Sequence, residues 1–247
     1  MNESLLNESF LTGRAALVTG ATRGIGFAIA RALADAGATV AICGRSQTGV
    51  DEAVRRLTNE SKRKVVGKAA DVRGSTEVAA LFNWIDSKVI DSNTGLDILV
   101  NNAGVGVMKS TAELTVEDWQ QTIETNLSGA FFCSREALIR LKNRVGGYII
   151  NIGSLAGKNA FAGGAAYNAS KFGLNGFSEA MMLDHRYDNV RVTHIMPGSV
   201  DTEFSGSARA DWKIAPEDIG EIVLMLLRMP ERTLVSRVEV RPAKPRK

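Results

Sequence analysis

Short apolar runs recur along the chain, and most of them end at a glycine or a polar residue. Their apolar and β-branched residues follow one another instead of alternating with polar ones, which is typical of strands buried on both faces of a sheet. Six runs predict such strands: Ala15–Thr19, Thr39–Cys43, Lys64–Gly67, Leu96–Val100, Tyr148–Ile152 and Val190–Ile195.

Segments with helical periodicity lie between these runs. One extends from Ile25 to Ala36 and ends at Gly37, a residue suited to a helix C-cap. Another begins at Pro216, with acidic residues directly after it at the positive end of the helix dipole. Strands that alternate with helices predict the α/β class: a doubly wound parallel sheet, or Rossmann fold, with helices on both faces.

Length and charge narrow the class of protein further. The chain has 247 residues and no linker-like segment, so we expect a single domain over residues 13–247 after an N-terminal extension at 1–12. Its 30 Lys and Arg residues nearly balance 27 Asp and Glu residues, which leaves a net charge of +3. A nucleic-acid-binding protein would show a clustered basic excess, so no nucleic-acid partner is expected.

Cysteine usage and the N-terminus indicate the compartment. Two cysteines, Cys43 and Cys133, cannot form a disulfide framework, and no Cys or His spacing suggests a metal site. The first twelve residues lack the basic region of a signal peptide. No apolar run approaches the ~18 residues of a membrane span. We therefore expect a soluble, cytoplasmic protein with no metal and no membrane partner.

A glycine-rich loop follows the first predicted strand and leads into the first predicted helix. Glycine at 20 permits a tight turn, and glycines at 24 and 26 let the backbone approach a pyrophosphate at the helix N-terminus. The GxxxGxG spacing differs from the general GxGxxG fingerprint. The strand before the loop and the helix after it nevertheless predict a dinucleotide site formed by Gly20, Thr22, Arg23, Gly24, Ile25 and Gly26.

The end of the second predicted strand indicates which dinucleotide binds. Sites for NAD place an acidic residue there to bind the ribose 2′-hydroxyl, and an acid would repel a 2′-phosphate. This chain has Gly44, Arg45 and Ser46 at that point, so a guanidinium fork is available for phosphate oxygens. Arg23 is predicted to reach the same phosphate. The sequence therefore predicts NADP(H) as the cofactor.

A candidate catalytic group lies farther along the chain. Tyr167 and Lys171 are four residues apart in a helical pattern, which places them on one helix face. Ser154 follows a buried strand, where residues face the cofactor crevice, thirteen residues before Tyr167.

Together these residues resemble the short-chain dehydrogenase/reductase family, in its compact branch of about 250 residues, and are similar to 3-oxoacyl-acyl-carrier-protein reductases. The resemblance covers about residues 13–240. Besides the glycine loop it rests on Asp71-Val72, Asn101-Asn102-Ala103-Gly104, Asn126, Ser154, Tyr167, Lys171, Pro197-Gly198 and Thr202, in that order.

The resemblance implies a role for each catalytic candidate. Tyr167 would donate the proton in carbonyl reduction, with its pKa lowered by Lys171, whose ammonium would also bind the nicotinamide ribose. Ser154 would hydrogen-bond the substrate oxygen, and Asn126 would hold a water that resupplies the proton through Lys171. The remaining cofactor contacts would be Asp71, Val72, Asn102, Ala103, Gly104, Ile152, Pro197, Gly198, Val200 and Thr202.

The resemblance also bears on substrate and assembly. A short substrate lid at about residues 203–215, with Phe204 and Trp212, predicts an open and partly apolar pocket. Arg144 and Arg186 are candidates for a basic patch beside the entrance, where an acyl-carrier protein would dock. Members of the family form homotetramers, in part through helices that here correspond to about 75–90 and 118–142. The chain ends in Val238-Glu239-Val240-Arg241-Pro242, which departs from the family pattern near the subunit contact, so a homodimer is expected as the alternative to a homotetramer.

The predicted function is NADPH-dependent reduction of a small-molecule carbonyl, of the ketone or 3-oxoacyl type, to an alcohol; an acyl thioester is one of the candidate substrates. Two alternatives stay open: an NAD-linked alcohol or sugar dehydrogenase, and a non-catalytic NADP-binding regulatory module. The two histidines, His185 and His194, fall outside these motifs and are interpreted as structural.

Overall fold

Seven strands alternate with seven helices in the computed structural model, which describes residues 9–89, 95–141, 147–205 and 210–245. The strands are β1 (Ala15–Thr19), β2 (Thr39–Gly44), β3 (Val65–Ala69), β4 (Leu96–Asn101), β5 (Gly147–Ile152), β6 (Val190–Pro197) and β7 (Arg237–Val240). The helices are α1 (Gly24–Asp35), α2 (Gln47–Ser61), α3 (Ser75–Lys88), α4 (Val116–Ile123), α5 (Gly129–Leu141), α6 (Ala165–His185) and α7 (Pro216–Arg228).

The strands form one sheet in the order β3-β2-β1-β4-β5-β6-β7, and every neighbouring pair is parallel. The first six strands match the six predicted runs, with ends that differ by two residues at most. The predicted doubly wound α/β fold is confirmed.

Two apolar clusters cover the two faces of the sheet. Alternate residues of a strand point to opposite faces. In β1, Ala16 and Val18 therefore pack with α1, α2 and α7, whereas Leu17 packs with α3, α5 and α6. Because all the strands are parallel, their carboxyl ends lie in one row at the same edge of the sheet.

Burial on both faces holds for the central strands β1, β4 and β5. The same prediction is wrong for β3, in which only Val65 is buried. As the edge strand, β3 pairs with β2 alone. Its side chains consequently lie at the margin of both helix layers.

The helix ends follow from local sequence. Gly37, just beyond α1, has φ +98°, a left-handed conformation that glycine adopts readily. Pro216 lies in the first turn of α7, and the Asp218 carboxylate accepts a hydrogen bond from the Ala215 amide at 3.0 Å. Both helix boundaries agree with the predicted ones.

One predicted helix is interrupted. The expected element at about 118–142 consists of α4 and α5 joined by a π-helical turn over Glu124–Ser128. Such turns widen a helix locally and occur frequently at functional sites.

The start of the described chain packs on the domain. Leu11, within the predicted extension, is buried, and its amide donates to the Ala36 carbonyl at 2.9 Å. The Arg228 guanidinium lies 4.7 Å from the centre of the Phe10 ring. Residues 1–8 of the extension lie outside the described residues. Among the helices that the structure describes, none is both long and apolar enough to cross a membrane.

Candidate active site

A cleft of about 1380 Å³ runs along the carboxyl ends of the strands. Sites for a single small ligand measure ~300–1,000 Å³, so this cleft has room for a dinucleotide together with a second, smaller molecule. It passes the point between β1 and β4 where the strand order reverses, which is where open α/β sheets bind ligands.

The glycine loop is fixed against the end of β4. The Asn102 side-chain amide donates to the carbonyls of Thr19 and Gly20, at 2.9 and 3.0 Å. A Cβ on Gly20, whose φ is +63°, would lie 2.7 Å from the Ala103 Cα, and one on Gly26 would overlap the Asn102 amide. No larger residue fits at either position, so the loop presents backbone at the start of α1.

The end of β2 forms a second corner of the cleft. Arg45 is exposed there, and the Ser46 hydroxyl caps α2 by accepting from the Gly49 amide at 3.4 Å. A Cβ on Gly44 would lie 2.6 Å from the Thr22 Cγ2, so glycine is needed for this approach of the two loops. Thr22, Gly44 and Arg45 all line the cleft.

Arg23 contacts the lid instead of the Arg45 corner. Its guanidinium forms an ion pair with the Glu203 carboxylate at 2.9 Å, and both side chains are about three-quarters exposed (73% and 74%). That Arg23 and Arg45 bind one phosphate stays a prediction, since it requires this exposed ion pair to open. A sequence distance of 180 residues separates the pair, so no local pattern indicates it.

Asp71 and Val72 line the cleft after β3. Hydrogen bonds from Arg73 hold the pKa of the Asp71 carboxyl below its ordinary value, and the nearby charge of Arg45 lowers it further. Val72 is buried against Gly129 of α5, where a Cβ would lie 2.8 Å from the Val72 Cγ2.

Ser154, Tyr167 and Lys171 come together on the opposite side of the cleft from the Arg45 corner. Tyr167 and Lys171 are both buried on α6, and the Lys171 ammonium lies 5.7 Å from the centre of the Tyr167 ring. The same ammonium donates to the Ile152 carbonyl at 3.0 Å. The Ser154 hydroxyl accepts from the Ala156 amide at 3.1 Å and acts on the nearby Tyr167 phenol to lower its pKa.

Burial dominates the electrostatics of this group. It raises the pKa of the Tyr167 phenol, and the hydrogen bond from Ser154 only partly offsets the increase. It also lowers the pKa of Lys171 to about 8. The net shift is therefore opposite to the lowered pKa expected for Tyr167: in the protein by itself, desolvation favours the neutral phenol and outweighs the nearby Lys171 charge.

We expect Lys171→Met to raise the melting temperature. The folded-state pKa of about 8 lies below the ordinary value of 10.5, so the unfolded chain binds more protons between these two values. The free energy of unfolding therefore rises with pH across that window. Below it, the buried Lys171 charge destabilises the fold to its full extent. Methionine removes the buried charge, which should stabilise the fold at pH 7 by on the order of 1–3 kcal/mol.

Thermal unfolding at neutral pH and near pH 10 measures this effect. The advantage of Lys171→Met over the wild type should shrink at the higher pH. Lys88→Met, at an exposed position in the last turn of α3, is the matched control and should change little at either pH. An advantage that does not depend on pH would contradict the assignment.

Asn126 lies in the π-helical turn and is buried. Its amide nitrogen donates to the Val105 carbonyl and to the Ser170 hydroxyl, both at 2.9 Å, and its oxygen accepts from the Val105 amide at 2.8 Å. The side chain thus ties the loop after β4 to the catalytic helix α6. Both of its N–H donors are used in these contacts.

The segment after β6 closes one side of the cleft. Pro197, Gly198, Val200 and Thr202 line it together with the predicted floor residues Asn102, Ala103, Gly104 and Ile152. The Phe204 ring of the lid lies 5.9 Å from the Tyr167 ring. Met108, Phe161 and Trp212 also line the cleft and make this end partly apolar. Lid residues 206–209 lie outside the described residues.

Several supporting residues were not predicted. The Thr19 hydroxyl accepts from the amides of Asn102 and Ala103, both at 3.0 Å. Asn168, next to Tyr167, donates to the Ala156 carbonyl at 2.7 Å and so ties α6 to the loop after Ser154. The only sequence feature that points to these two residues is a polar side chain at a strand end or beside a catalytic residue. In a single sequence this feature is weak evidence for a role.

The histidines have structural contacts, as interpreted from the sequence. His185 pairs with Asp188 at 2.8 Å. Burial lowers the pKa of His194 to about 3, and its ring packs so closely on Gly153 that a side chain there would overlap it. Among the described residues, no group of three or more His, Cys, Asp or Glu side chains is arranged to hold a metal.

The parallel sheet, the glycine loop at its switch point and the Ser154–Tyr167–Lys171 group define a dinucleotide-dependent oxidoreductase of the Rossmann class. A model of the short chain dehydrogenase family matches residues 14–213, and the chain belongs to this family. The family predicted from the sequence is thereby confirmed. Its members use nicotinamide cofactors.

Individual relatives cover most of the chain. An uncharacterized oxidoreductase of Staphylococcus saprophyticus is 34% identical over 236 residues, which cover 94% of this chain and 98% of the relative. A Streptomyces coelicolor protein that carries the name of a ketoacyl reductase is 36% identical over 209 residues, which cover 82% of this chain and 78% of that protein.

A solved structure is similar over nearly the whole chain. The alcohol dehydrogenase of the archaeon Thermococcus sibiricus, complexed with 5-hydroxy-NADP, superposes with a TM-score of 0.86 at 29% identity and covers 95% of this chain and 98% of its own. The prediction of NADP(H) as the cofactor agrees with that complex.

Proposed function

We propose that this protein reduces a carbonyl group of a small molecule to an alcohol with NADPH. The observation that carries the proposal is the convergence of Ser154, Tyr167 and Lys171 beside a cleft that also contains the glycine loop and Arg45. When bound, the cofactor supplies the hydride, and the residues of this chain position the reactants and handle the proton.

The cleft fits such a cofactor. The N-terminus of α1 carries no side-chain cap, so its amides are available to the pyrophosphate. The Lys171 ammonium is buried and has three N–H donors, of which one is used by Ile152. The other two suit the hydroxyls of the nicotinamide ribose. Gly44 and Arg45 suit a 2′-phosphate, which supports NADP(H) over NAD(H).

The raised pKa of Tyr167 favours the reductive direction. At neutral pH the phenol keeps its proton and donates it to the carbonyl oxygen as negative charge develops there. The Ser154 hydroxyl stabilises the same oxygen, and the resulting phenolate is stabilised by the Lys171 charge. The NAD-linked alternative is less well supported because β2 is followed by Arg45, where an NAD site places an acidic residue.

Gly104 leaves space for resupply of the proton. A Cβ at Gly104 would lie 3.3 Å from the Asn126 oxygen and 3.9 Å from the Lys171 ammonium. A water placed nearer to Lys171 than this point would bridge the two groups, in line with the role implied for Asn126. The Asn126 oxygen has a second lone pair for this contact.

The substrate is a ketone or a 3-oxoacyl compound. The partly apolar end of the cleft supports this class, and so does the relative named as a ketoacyl reductase. Support for docking of an acyl-carrier protein is weaker. Arg186 donates to the Met182 sulfur at 3.3 Å and does not line the cleft, and Arg144 lies outside the described residues.

Oxidation of NADPH, followed by absorbance with a panel of ketones, aldehydes and 3-oxoacyl thioesters, tests the proposal. Turnover of at least one carbonyl, with a preference for NADPH over NADH, is expected. Tight NADPH binding without any turnover would instead favour the non-catalytic NADP-binding module. Faster oxidation of alcohols with NAD would favour the NAD-linked dehydrogenase.

We also propose a homodimer, formed in the cytoplasm by a single domain over residues 13–247. Its interface keeps α5, which lies within the expected segment 118–142, and uses α6 in place of α3. The outer face of α3 is polar. Its Asp86 already pairs with Arg140 of α5 in the same chain, at 2.6 Å. Exposed apolar side chains lie instead on α5 and α6: Phe131, Ile139, Phe172 and Leu183. Exposed patches of this kind mark interfaces.

Charged substitutions on that face should dissociate the dimer. Ile139→Asp and Leu183→Asp are expected to give a monomer by light scattering. Met225→Asp, at an exposed position on α7 across the sheet, is the matched control and should leave the mass unchanged. A wild-type monomer would overturn this proposal.

A further inference from the structure

The chain after β7 folds over the substrate end of the cleft. The Gly198 amide donates to the Val240 carbonyl at 2.8 Å, which holds the end of β7 beside the segment after β6. A Cβ on Gly198 would lie 3.1 Å from both the Pro242 Cδ and the Leu155 Cδ1. Arg241 and Pro242 line the cleft, so this C-terminal segment borders the residue that follows Ser154.

Arg241 belongs to a cluster of three charged side chains at this end of the cleft. The Glu239 carboxylate pairs with the Lys158 ammonium at 2.7 Å and with the Arg241 guanidinium at 3.1 Å. Two cations share one anion, so the cluster has a net charge of +1. The contact with Glu239 uses one guanidinium N–H, and a guanidinium has five in a planar fork.

Arg241 lies far from the predicted binding site for the cofactor phosphates and close to Ser154. Strands lie ~4.8 Å apart, so β7 is roughly 24 Å from β2, which ends at Arg45, because five strand steps separate them. Only two steps, roughly 10 Å, separate β7 from β5, which leads to Ser154. Arg241 is therefore within side-chain reach of a molecule bound at Ser154.

Three of the acidic residues that line the cleft form ion pairs: Glu60 with Arg31, Asp71 with Arg73, and Glu203 with Arg23. The guanidinium of Arg241 therefore provides a positive site at the substrate end with matched geometry for two anionic oxygens.

We propose that Arg241, oriented by Glu239, binds an anionic group of the substrate, either a carboxylate or a phosphate. The substrate is then an anionic carbonyl compound, whose carbonyl lies at Ser154 and Tyr167 while its anionic group lies at Arg241. This inference rests on the proposed reductase function and specifies its substrate class.

Paired substrates test the inference. If the anionic group is a carboxylate, the wild type should reduce levulinate in preference to methyl levulinate. If it is a phosphate, the wild type should reduce dihydroxyacetone phosphate in preference to dihydroxyacetone. Arg241→Met should lower kcat/KM for the preferred anion by about 10- to 100-fold, mainly through KM. The neutral partner and the KM for NADPH should stay within about twofold, since neither contact involves Arg241.

The control is Arg237→Met on β7, which loses an ion pair with Glu179 but does not line the cleft. Equal effects on the anionic and neutral substrates would overturn the inference, and so would a rise in the KM for NADPH. If the wild type reduces none of these four compounds and no carbonyl compound of the panel described above, the proposed function fails. In that case, thermal stabilisation by levulinate or dihydroxyacetone phosphate that Arg241→Met abolishes would still support the anion site, and its absence would overturn it.

Discussion

Tyr167→Phe should lower kcat by about 100- to 10,000-fold while NADPH still binds. The substitution removes only the phenolic hydroxyl, and that group is the proton donor in the proposed reduction. The ring keeps its surroundings, because Phe204 and Lys171 contact the aromatic face, with the Phe204 ring centre 5.9 Å away. Turnover of the best substrate and fluorescence titration of NADPH measure the two effects.

Tyr148→Phe is the matched control. Tyr148 is also a buried tyrosine, and its hydroxyl hydrogen-bonds the Thr193 hydroxyl at 2.7 Å, away from the cleft. This variant should lose about 1 kcal/mol of stability and keep its turnover. A Tyr167→Phe enzyme as active as the Tyr148→Phe enzyme would remove Tyr167 from the mechanism.

The fold was predictable because its signals are local. A continuous apolar run such as Val40–Cys43 is typical of a strand buried between two helix layers, and glycine at 20 and 26 marks a turn that no other residue fits. Gly37 and Pro216 mark helix ends by their backbone preferences. These features depend on a few neighbouring residues, so a single sequence reveals them.

The parts that could not be predicted depend on contacts between distant segments. Nothing near Arg23 indicates that Glu203 lies within 2.9 Å of it. The π-helical turn places Asn126 in hydrogen bonds with Val105 and Ser170, which are 21 and 44 residues away in the sequence. The pKa of Tyr167 depends on how deeply the domain buries α6, which no spacing of Tyr and Lys reveals.

The C-terminal segment is a further example. The sequence Val240-Arg241-Pro242 indicated only a departure from the family pattern at the subunit edge. The parallel pairing of β7 with β6 places Arg241 at the same sheet edge as Ser154. The proposed contact of Arg241 with the substrate can therefore be inferred only from the order of the strands, and not from the sequence around it.

Arg45→Asp should weaken NADP binding by about 1.5–3 kcal/mol, or roughly 10- to 150-fold, and shift the preference toward NAD. The guanidinium provides charge-assisted hydrogen bonds to a 2′-phosphate, whereas a carboxylate repels that phosphate and can accept from a 2′-hydroxyl. The ratio of the dissociation constants for NADP and NAD measures the change.

Folding should not limit this test. Position 45 is exposed and directly precedes Ser46, the N-cap of α2, where a negative charge interacts favourably with the helix dipole. Arg55→Asp, at an exposed position farther along the same helix and outside the cleft lining, makes the same charge change and should leave both affinities unchanged. If Arg45→Asp and Arg55→Asp change the NADP to NAD ratio equally, the effect comes from net charge alone and the 2′-phosphate must bind elsewhere.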